Sequence, residues 1–392
     1  MTPRGLSAAD IRTRNRAGLI RLVHRHGAIA RNDLAKSLGL TRASVTILAN
    51  ELIDEGLIVE AGSSGGVGRA GRRKIFLRVR AEAGKVIGVG VESDRVQVLV
   101  ADLAGSVLGV RDLPPSAARP GRDRAPGPAL AKAVAEAATE LLGGLHPARA
   151  GVVGAGLGVT GRVDPRAGVS LREPRIWEGP VPLAEPLGEA LGLPSSVDNN
   201  VRSLALAELL LTDARRSPPE GLLFVKYGPG VGGAWTTGGS PWAGAHHRAG
   251  EIGHTLVEPE GPPCPYCGRR GCLESLVSAR ALGEVLGRPG ARAEELCAEL
   301  AARDPEAFAL LAARFARALG NAIEVCDPAV VTLYGAPFRD PSLFAEIARR
   351  VESNDRPCEI RRSGLDPELP ALGGAALALD RFFDSGGVPS RE

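Results

Sequence analysis

Apolar residues among the first 80 positions recur with helical spacing in three short segments. The spacing predicts helices over 11–26, 30–38 and 42–55, and a glycine follows each of them. Two runs of β-type residues come next, at 57–60 and 74–79, with a Gly- and Arg-rich turn between them. Three helices followed by a hairpin predict a winged helix-turn-helix domain over the first 80 residues.

The pattern changes from residue 84 onward, where continuous apolar runs alternate with helical stripes. Strands are predicted at 85–92, 95–103, 107–113, 152–159, 221–226 and 330–334, and helices at 129–143, 275–287 and 305–325. This order of elements favours layered α/β lobes over a barrel. We expect two lobes with a cleft between them. The first covers 84–197 and is completed by a C-terminal helix at 371–384, and the second covers 198–370.

The net charge of +3 hides an uneven distribution along the chain. Residues 1–80 hold 15 Lys and Arg against 6 Asp and Glu, whereas the remaining residues hold 33 against 39. A basic first segment on an acidic body indicates a polyanionic partner for that segment alone. The chain has neither an apolar run of transmembrane length nor the apolar core of a secretory signal, so we expect a cytoplasmic protein that does not enter a membrane.

The third predicted helix begins with residues suited to reading DNA. Thr41 can cap this helix, and the next turns contain Arg42, Ser44 and Thr46. These turns are the part of a recognition helix that enters a major groove. Four cations on or beside the predicted wing suit phosphates or a minor groove: Arg69, Arg72, Arg73 and Lys74. The alternative is a three-helix protein-interaction domain with a solvated basic face, but spacing, wing and charge together favour DNA binding.

The segment 249–274 contains a cysteine cluster that is typical of a structural metal site. Three thiols occur within nine positions, at Cys264, Cys267 and Cys272, and His254 lies just upstream. Three thiolates and one imidazole form a complete tetrahedral set for structural zinc, with no open position for catalysis. The alternative is free cysteines in a loop. In a reducing compartment, this crowding favours a metal over disulfides.

Several polar residues near this cluster and near strand ends suit the binding of sugar hydroxyls. Glu251 and Glu274 flank the cysteines, and His254 lies beside them; the alternative for these three is ordinary surface charge. Asn199 and Asn200 lie where a predicted strand passes into a helix, a position that helix capping also explains.

Two glycine-rich turns complete the candidate features. Gly161 and Arg162 follow another predicted strand and can reach the same cleft. The run YGPGVGGA at 227–234 resembles a phosphate loop, although a lone glycine cluster is a weak signal.

Taken together, these residues resemble the ROK family, which comprises repressors, open reading frames and sugar kinases. The most specific pieces are AGEIGH and CPYCGRRGCLE, which look like the signature and zinc knuckle of the family. The segments TGRVDPRAG and WEGPVPLAEPLGEALGL are similar to its sugar-lobe turn and to the segment before its Asn-Asp site. The run from RNR to DEGLI at 14–58 and GRR at 71–73 resemble the winged helix of its repressors.

The resemblance implies a winged helix fused to an actin-like, ribonuclease-H-like sugar kinase body. It implies a sugar pocket that Gly161 and Arg162 close and that five further residues line: Asn199, Asn200, Glu251, His254 and Glu274. It also implies zinc bound by His254, Cys264, Cys267 and Cys272. One spacing departs from the family, since Cys264 and Cys267 are separated by two residues instead of one; tetrahedral thiolate sites accept this spacer readily.

Two further departures concern phosphoryl transfer. The kinases of the family use an Asp as general base where this chain has Asn200, and an amide can hydrogen-bond a hydroxyl but cannot take its proton. Their Asp-x-Gly-Gly-Thr phosphate loop corresponds here to a stretch with Glu92, Ser93 and Asp94, whose carboxylates would repel ATP. We therefore expect no enzymatic activity.

The sequence thus predicts a sugar-responsive transcriptional repressor of carbohydrate metabolism genes. Its expected partners are a double-stranded DNA operator and a monosaccharide or sugar-phosphate effector, and its expected assembly is a homodimer or homotetramer. Effector binding is expected to change lobe closure and thereby operator affinity. Two alternatives remain open: an ATP-dependent sugar kinase, and a DNA-binding regulator whose body senses zinc or a protein partner.

Overall fold

A computed structural model of the chain describes residues 7–64, 74–121, 124–145, 151–352 and 358–388. The chain divides into two compact units, one formed by Met1–Asn200 with Pro370–Glu392 and the other by Val201–Leu369. The helices within the described ranges are too short or too polar to cross a bilayer.

The first unit begins with three helices and a small antiparallel sheet. In chain order these elements are α1 (Ala8–His26), β1 (Ile29–Ala30), α2 (Arg31–Leu38), α3 (Arg42–Asp54), β2 (Ile58–Ser64) and β3 (Lys74–Val79). The sheet order is β1-β3-β2. Leu19, Val23, Val45, Leu52 and Leu77 are fully buried and form the centre of this N-terminal domain. The helices and the hairpin predicted from the apolar pattern are therefore present.

Local capping sets the boundaries of these helices. Ser7 Oγ accepts a hydrogen bond from Asp10 N at 3.1 Å, and Asp10 Oδ2 accepts one from Ser7 N at 2.9 Å. This reciprocal capping box starts α1 at Ala8, three residues before the start predicted from apolar spacing. Thr41 Oγ1 accepts from Ser44 N at 3.1 Å, which confirms Thr41 as the N-cap of α3.

The main sheet of the first unit has five strands in the order β11-β7-β4-β5-β6. The elements after the N-terminal domain are β4 (Lys85–Val91), β5 (Val96–Asp102), β6 (Val107–Leu113), α4 (Pro126–Gly143), β7 (Val152–Val159), β8 (Arg162–Asp164), β9 (Val169–Arg172), β10 (Val181–Pro182), α5 (Ala184–Leu191) and β11 (Ser195–Asn199). The strands β4, β5 and β6 are antiparallel, whereas β7 and β11 run parallel to β4. A second, small antiparallel sheet, β10-β9-β8, was not predicted from the sequence.

The three parallel strands of the main sheet end at one edge. Val91 lies opposite Val159, and Val159 lies opposite Asn199, so β4, β7 and β11 terminate side by side. The residues just beyond these ends therefore meet, as they do at the ligand-binding edge of open α/β sheets. The sequence analysis selected a residue at or near the end of each of these strands: Glu92 after β4, Gly161 after β7 and Asn199 at the end of β11.

The second unit repeats the scheme with another five-stranded sheet, in the order β14-β13-β12-β15-β16. Its elements are α6 (Asn200–Leu211), β12 (Gly221–Tyr227), β13 (Val231–Thr237), β14 (Ser240–Pro241), α7 (Leu273–Val277), α8 (Ala279–Val285), α9 (Ala293–Arg303), α10 (Pro305–Cys326), β15 (Val330–Tyr334), α11 (Pro341–Glu352) and β16 (Glu359–Arg362). The core of this unit contains a cluster of rings from Tyr227, Phe315 and Phe338.

Two sequence expectations in this unit need correction. The helix predicted over 275–287 is two helices, because Ser278 adopts an extended backbone and caps α8 by accepting from Ala281 N at 3.3 Å. The glycine-rich run at 227–234 connects the antiparallel strands β12 and β13, with Tyr227 opposite Val231. It therefore forms a hairpin and does not lead into a helix N-terminus as a P-loop does.

The last helix, α12 (Leu372–Asp384), returns to the first unit and packs on β4, β7 and β11. Its contact with the sheet is unusually close, since a Cβ on Gly374 would overlap the carbonyl oxygen of Gly156 and would lie within 2.6 Å of the backbone of Val89. Only glycine permits this approach of helix backbone to sheet backbone.

The far end of α12 holds α1 of the N-terminal domain. Arg21 contacts Asp380 at 2.7 Å and Asp384 at 2.6 Å, and His24 packs against Phe383 with ring centroids 4.9 Å apart. Arg16 Nε donates to the carbonyl oxygen of Gly386 at 3.1 Å. One helix thus connects the N-terminal domain to the main sheet of its unit.

Candidate functional site

Four side chains of the second unit converge in the segment after β14. The ligand atoms of His254, Cys264, Cys267 and Cys272 all lie within 4.8 Å of one another. Cys264 Sγ is 3.7 Å from His254 Nδ1, and Cys267 Sγ is 3.5 Å from Cys272 Sγ. The structure therefore brings together all four residues that the sequence proposed as metal ligands.

The backbone around this cluster folds into a tight knuckle. Isolated antiparallel bridges join Leu256 to Cys272 and Pro263 to Arg270. Gly271 has a φ of 68°, and a Cβ there would overlap the carbonyl oxygen of Glu258. Glycine is therefore required at this point for the chain to bring Cys272 back toward His254.

The thiols of the cluster differ in their ease of ionisation. Burial opposes ionisation of Cys267, but hydrogen bonds from the backbone and side chain of Arg269 outweigh burial and lower the pKa of Cys267 to about 7. Burial and the neighbouring Cys267 raise the pKa of Cys272 to about 12. Neighbouring thiolates repel one another unless a cation lies between them, so this donor set could hold a metal ion, and its three sulfurs and one imidazole fit zinc.

His254 connects the cysteine cluster to the candidate sugar-binding carboxylates. Its Nδ1 faces Cys264, and its Nε2 lies 3.7 Å from Glu251 Oε2. Glu274 is buried beside this segment, and its Oε2 accepts from Val231 N at 3.3 Å. Metal-bound histidines commonly direct their second nitrogen to a carboxylate, so this arrangement would fix both the imidazole and Glu251.

The first unit holds the other candidate sugar-binding residues at the strand-end edge. Asn199 Nδ2 donates to the carbonyl oxygen of Gly161 at 2.8 Å. Asn200 is 6% exposed, and its Nδ2 donates to Glu92 Oε1 at 3.2 Å. The two positions that sequence analysis related to phosphoryl transfer, Glu92 and Asn200, are therefore in direct contact.

The candidate DNA-contacting residues lie on and near α3. Arg42 is exposed at its first turn, and Thr46 donates its hydroxyl to the carbonyl oxygen of Arg42 at 2.8 Å. The Ser44 hydroxyl lies 2.9 Å from that of Thr41. Lys74 begins β3. The other three wing cations, Arg69, Arg72 and Arg73, lie outside the described residues.

Sequence reasoning missed two further residues on the same face of α3. Ile47 is 58% exposed, and Asn50 is exposed and accepts from Arg31 Nη1 at 2.9 Å. Both follow from helical spacing, since Ala43, Ile47 and Asn50 are separated by four and three residues. An exposed aliphatic side chain in the middle of such a face can contact a thymine methyl group.

The structure also shows a buried ion pair near Gly161 that the sequence did not indicate. Glu173 is 1% exposed and accepts from Arg175 through both oxygens, from Nε at 2.8 Å and from Nη2 at 3.1 Å. Alternating charge in LREPRIW is the available signal, but it does not reveal that Glu173 points inward.

Comparison with known proteins gives consistent matches. The model of the ROK family matches residues 86–381. A putative xylose repressor from Caldicellulosiruptor sp. (strain Rt8B.4) is 29% identical over 70% of this chain, and the chain spans just under two thirds, 66%, of that relative's length.

Two solved structures extend the comparison. The structure of a ROK family transcriptional regulator described as a homologue of the E. coli MLC protein matches 96% of this chain and 98% of its own, with a TM-score of 0.79 and 22% identity. A ROK hexokinase from Thermus thermophilus matches 75% of this chain and 97% of its own, with a TM-score of 0.60 and 29% identity. The fold is therefore that of a ROK transcriptional regulator, including its N-terminal domain.

Proposed function

The chain belongs to the ROK family, and from this premise we propose that it is a transcriptional repressor that binds operator DNA and responds to a sugar. The observation that carries the proposal is a basic N-terminal domain with an exposed face on α3, in the same unit as the first half of a ROK body. Operator half-sites read by α3 would require at least a dimer. Such a role belongs in the cytoplasm, with the chromosome.

We propose that His254, Cys264, Cys267 and Cys272 bind structural zinc. Four protein ligands leave no open position, so the ion would cross-link the knuckle and would not polarise a substrate. His254 Nε2 lies 3.7 Å from Glu251 Oε2, and Arg269 donates to the carbonyl oxygen of His254 at 2.8 Å.

We propose that the effector is a monosaccharide, and each unit holds candidate groups for its hydroxyls. The candidates in the first unit are Gly161, Arg162, Asn199 and Asn200, and those in the second are Glu251, His254 and Glu274. Carboxylate and amide side chains can accept from and donate to vicinal hydroxyls, and each of these groups is already oriented by a hydrogen bond or by the knuckle. The effector alters DNA affinity only as far as it binds the DNA-competent and DNA-incompetent states unequally.

We propose further that phosphoryl transfer is lost. An amide at position 200 cannot act as general base, and its Nδ2 donates a hydrogen bond to Glu92 Oε1. By the family resemblance, Glu92 lies in the stretch where the kinases have their phosphate loop. Because the chain is similar to a ROK hexokinase, the alternative to test is the phosphorylation of a monosaccharide by ATP.

The variant Asn200→Asp is expected to lower stability and to create no kinase. It places a second carboxylate within hydrogen-bonding distance of Glu92 at a buried position, and like charges in such a site raise one pKa and cost about 1–3 kcal/mol. Denaturant unfolding measures this loss, and Glu92→Gln in the same chain should recover most of it.

ATP turnover with a panel of monosaccharides is measured on the same proteins. We expect none above background in the wild type, in Asn200→Asp or in the double variant. Sugar-dependent turnover that is already present in the wild type and rises in Asn200→Asp would replace the proposed regulator with the kinase alternative.

The function as a whole is tested by fluorescence anisotropy with DNA selected from a random library by the wild-type protein. Arg42→Ala is expected to weaken binding about tenfold or more and to lower the salt dependence, because a cation that contacts DNA is lost. Arg303→Ala removes an exposed cation of the second unit and serves as the matched control. Glu251→Ala should retain DNA affinity but lose the response to the sugar that releases the wild type.

Two results contradict the proposal in different ways. If Arg42→Ala binds the selected DNA as the wild type does, α3 is not the recognition helix. If no sugar changes the DNA affinity or raises the unfolding temperature of the zinc-loaded protein, the body senses another signal, and a protein partner becomes the favoured alternative.

A further inference from the structure

The small sheet β10-β9-β8 contains a pair of like charges in direct register. Arg162 of β8 lies opposite Arg172 of β9, and an irregularity in the strand pairing follows immediately between Arg162 and Val163. Residues directly opposite each other in an antiparallel pair project to the same face, and like charges there destabilise the sheet. The presence of this pair lowers the stability of the small sheet, so the pair needs an explanation.

The two arginines have no counter-ion among the residues that the structure describes. Arg162 and Arg172 form no ion pair there, and the buried Nε of Arg162 has no hydrogen-bond partner in the same ranges. Glu173 is next in the chain, but both of its oxygens accept from Arg175. The acidic group next to Arg172 is therefore already engaged by a third arginine. Asp164, two residues after Arg162, accepts through Oδ1 from the backbone N–H groups of Arg166 and Ala167.

The position of the pair relates it to the proposed effector site. Arg162 follows Gly161, whose carbonyl oxygen accepts from Asn199, and β8 packs against β11, which ends in Asn199. The pair is thus continuous with the strand-end edge of the first unit that holds Asn200 and Glu92.

We propose that Arg162 and Arg172 bind an anionic group of the effector, which is therefore a monosaccharide carrying a phosphate ester or a carboxylate. This inference rests on the proposed function, because it assigns the chemical class of the sugar that the same site takes. Guanidinium groups bind both anions through two parallel hydrogen bonds, and an anion between two guanidinium groups removes their repulsion. A neutral sugar leaves the repulsion in place.

The test measures binding to the full-length, zinc-loaded protein by calorimetry and thermal unfolding. The probes are glucose, mannose, N-acetylglucosamine and xylose, each with its phosphate ester and its sugar acid, and inorganic phosphate alone. The variants are Arg162→Gln and Arg172→Gln. Arg166→Gln is the matched control, since Arg166 is an exposed cation in the turn between β8 and β9 but is outside the facing pair.

We expect an anionic form of one sugar to bind at least about tenfold more tightly than its neutral form. Each of the two glutamine variants should remove about tenfold of that preference, whereas Arg166→Gln should keep it. Arg172→Gln, which lies outside the proposed hydroxyl-binding set, should leave the affinity for the neutral sugar unchanged. Without ligand, Arg172→Gln should unfold at the same temperature as the wild type or higher, because repulsion is relieved. The phosphate and acid arms identify which anion the pair prefers.

Other results overturn the inference and are distinguishable from failure of the proposed function. A sugar that binds equally well in neutral and anionic forms, or an anion preference that survives both variants, overturns the anion site and leaves the sugar-responsive regulator intact. If no sugar binds and inorganic phosphate does not stabilise the protein, both the anion site and the sugar-responsive regulator are overturned. Stabilisation by inorganic phosphate alone that disappears in Arg172→Gln supports the anion site and contradicts the sugar as effector.

Discussion

Replacing Cys264 with serine is expected to release the metal ion and to lower the unfolding temperature of the protein by about 10 °C or more. Cys264 is buried, its sulfur lies 3.7 Å from His254 Nδ1, and its backbone N–H donates to the carbonyl oxygen of Arg269 at 2.7 Å. A hydroxyl is a poor zinc ligand, and the free energy of binding structural zinc stabilises only the folded knuckle. Removal of the ion by a chelator should have the same effect on the wild type.

The measurements are elemental analysis of the purified protein and differential scanning calorimetry. Cys326→Ser is the matched control, because Cys326 ends α10 and is outside the cluster of possible ligands. Sugar binding should fall along with the metal, since His254 then no longer fixes Glu251. A Cys264→Ser protein with a full equivalent of zinc and an unchanged unfolding temperature would rule out this cluster as the metal site.

Replacing Gly374 with alanine is expected to cost about 3 kcal/mol of stability. The added Cβ would overlap the backbone of Gly156 and crowd that of Val89, and neither backbone can move without disturbing the parallel pair β4 and β7. Denaturant unfolding measures the loss. DNA binding should weaken at high temperature, because the end of α12 that holds Arg21 loses its support.

The control for this prediction is the same chemical change at Gly143. Gly143 ends α4, and a Cβ there meets nothing within 4 Å. Alanine has a higher helix propensity than glycine. Gly143→Ala should therefore change the free energy of unfolding by less than about 1 kcal/mol, in the stabilising direction. Equal stability of the two variants would mean that the contact between α12 and the sheet is looser than described.

Elements specified by nearby residues could be predicted from the sequence. Thr41 was identified as the cap of α3, and six strands of the two five-stranded sheets (β4, β5, β6, β7, β12 and β15) were located within one residue of their observed ends, because capping and apolar runs are local signals. The other four strands of these sheets were not located. The metal ligands could also be predicted, because three cysteines within nine positions of the chain are close together in space. The helix α4 begins three residues earlier than predicted because Pro126 is favourable in a first turn.

Features that depend on pairing between distant segments could not be predicted. Arg162 was selected from its position after a strand, but its partner Arg172 is defined by the register of β9 and by the irregularity beside it. The contact between Asn200 and Glu92 joins residues 108 positions apart. Each had been identified alone, but their contact depends on the order of the parallel strands. The requirement for glycine at Gly374 in α12 likewise arises from Gly156, which lies in β7.

The path of the chain has a consequence for biosynthesis. The first unit is interrupted by residues 201–369, so the ribosome must make the whole second unit before α12 can cover the glycine-lined face of the main sheet. At a rate of synthesis of about 5–20 residues per second, that face of the sheet stays uncovered for roughly 10–30 s. During the same time α1 lacks the helix that anchors it. During this interval the nascent protein exposes an apolar surface that favours aggregation. Chaperone supply should therefore limit the yield of this protein more than that of one whose domains are contiguous.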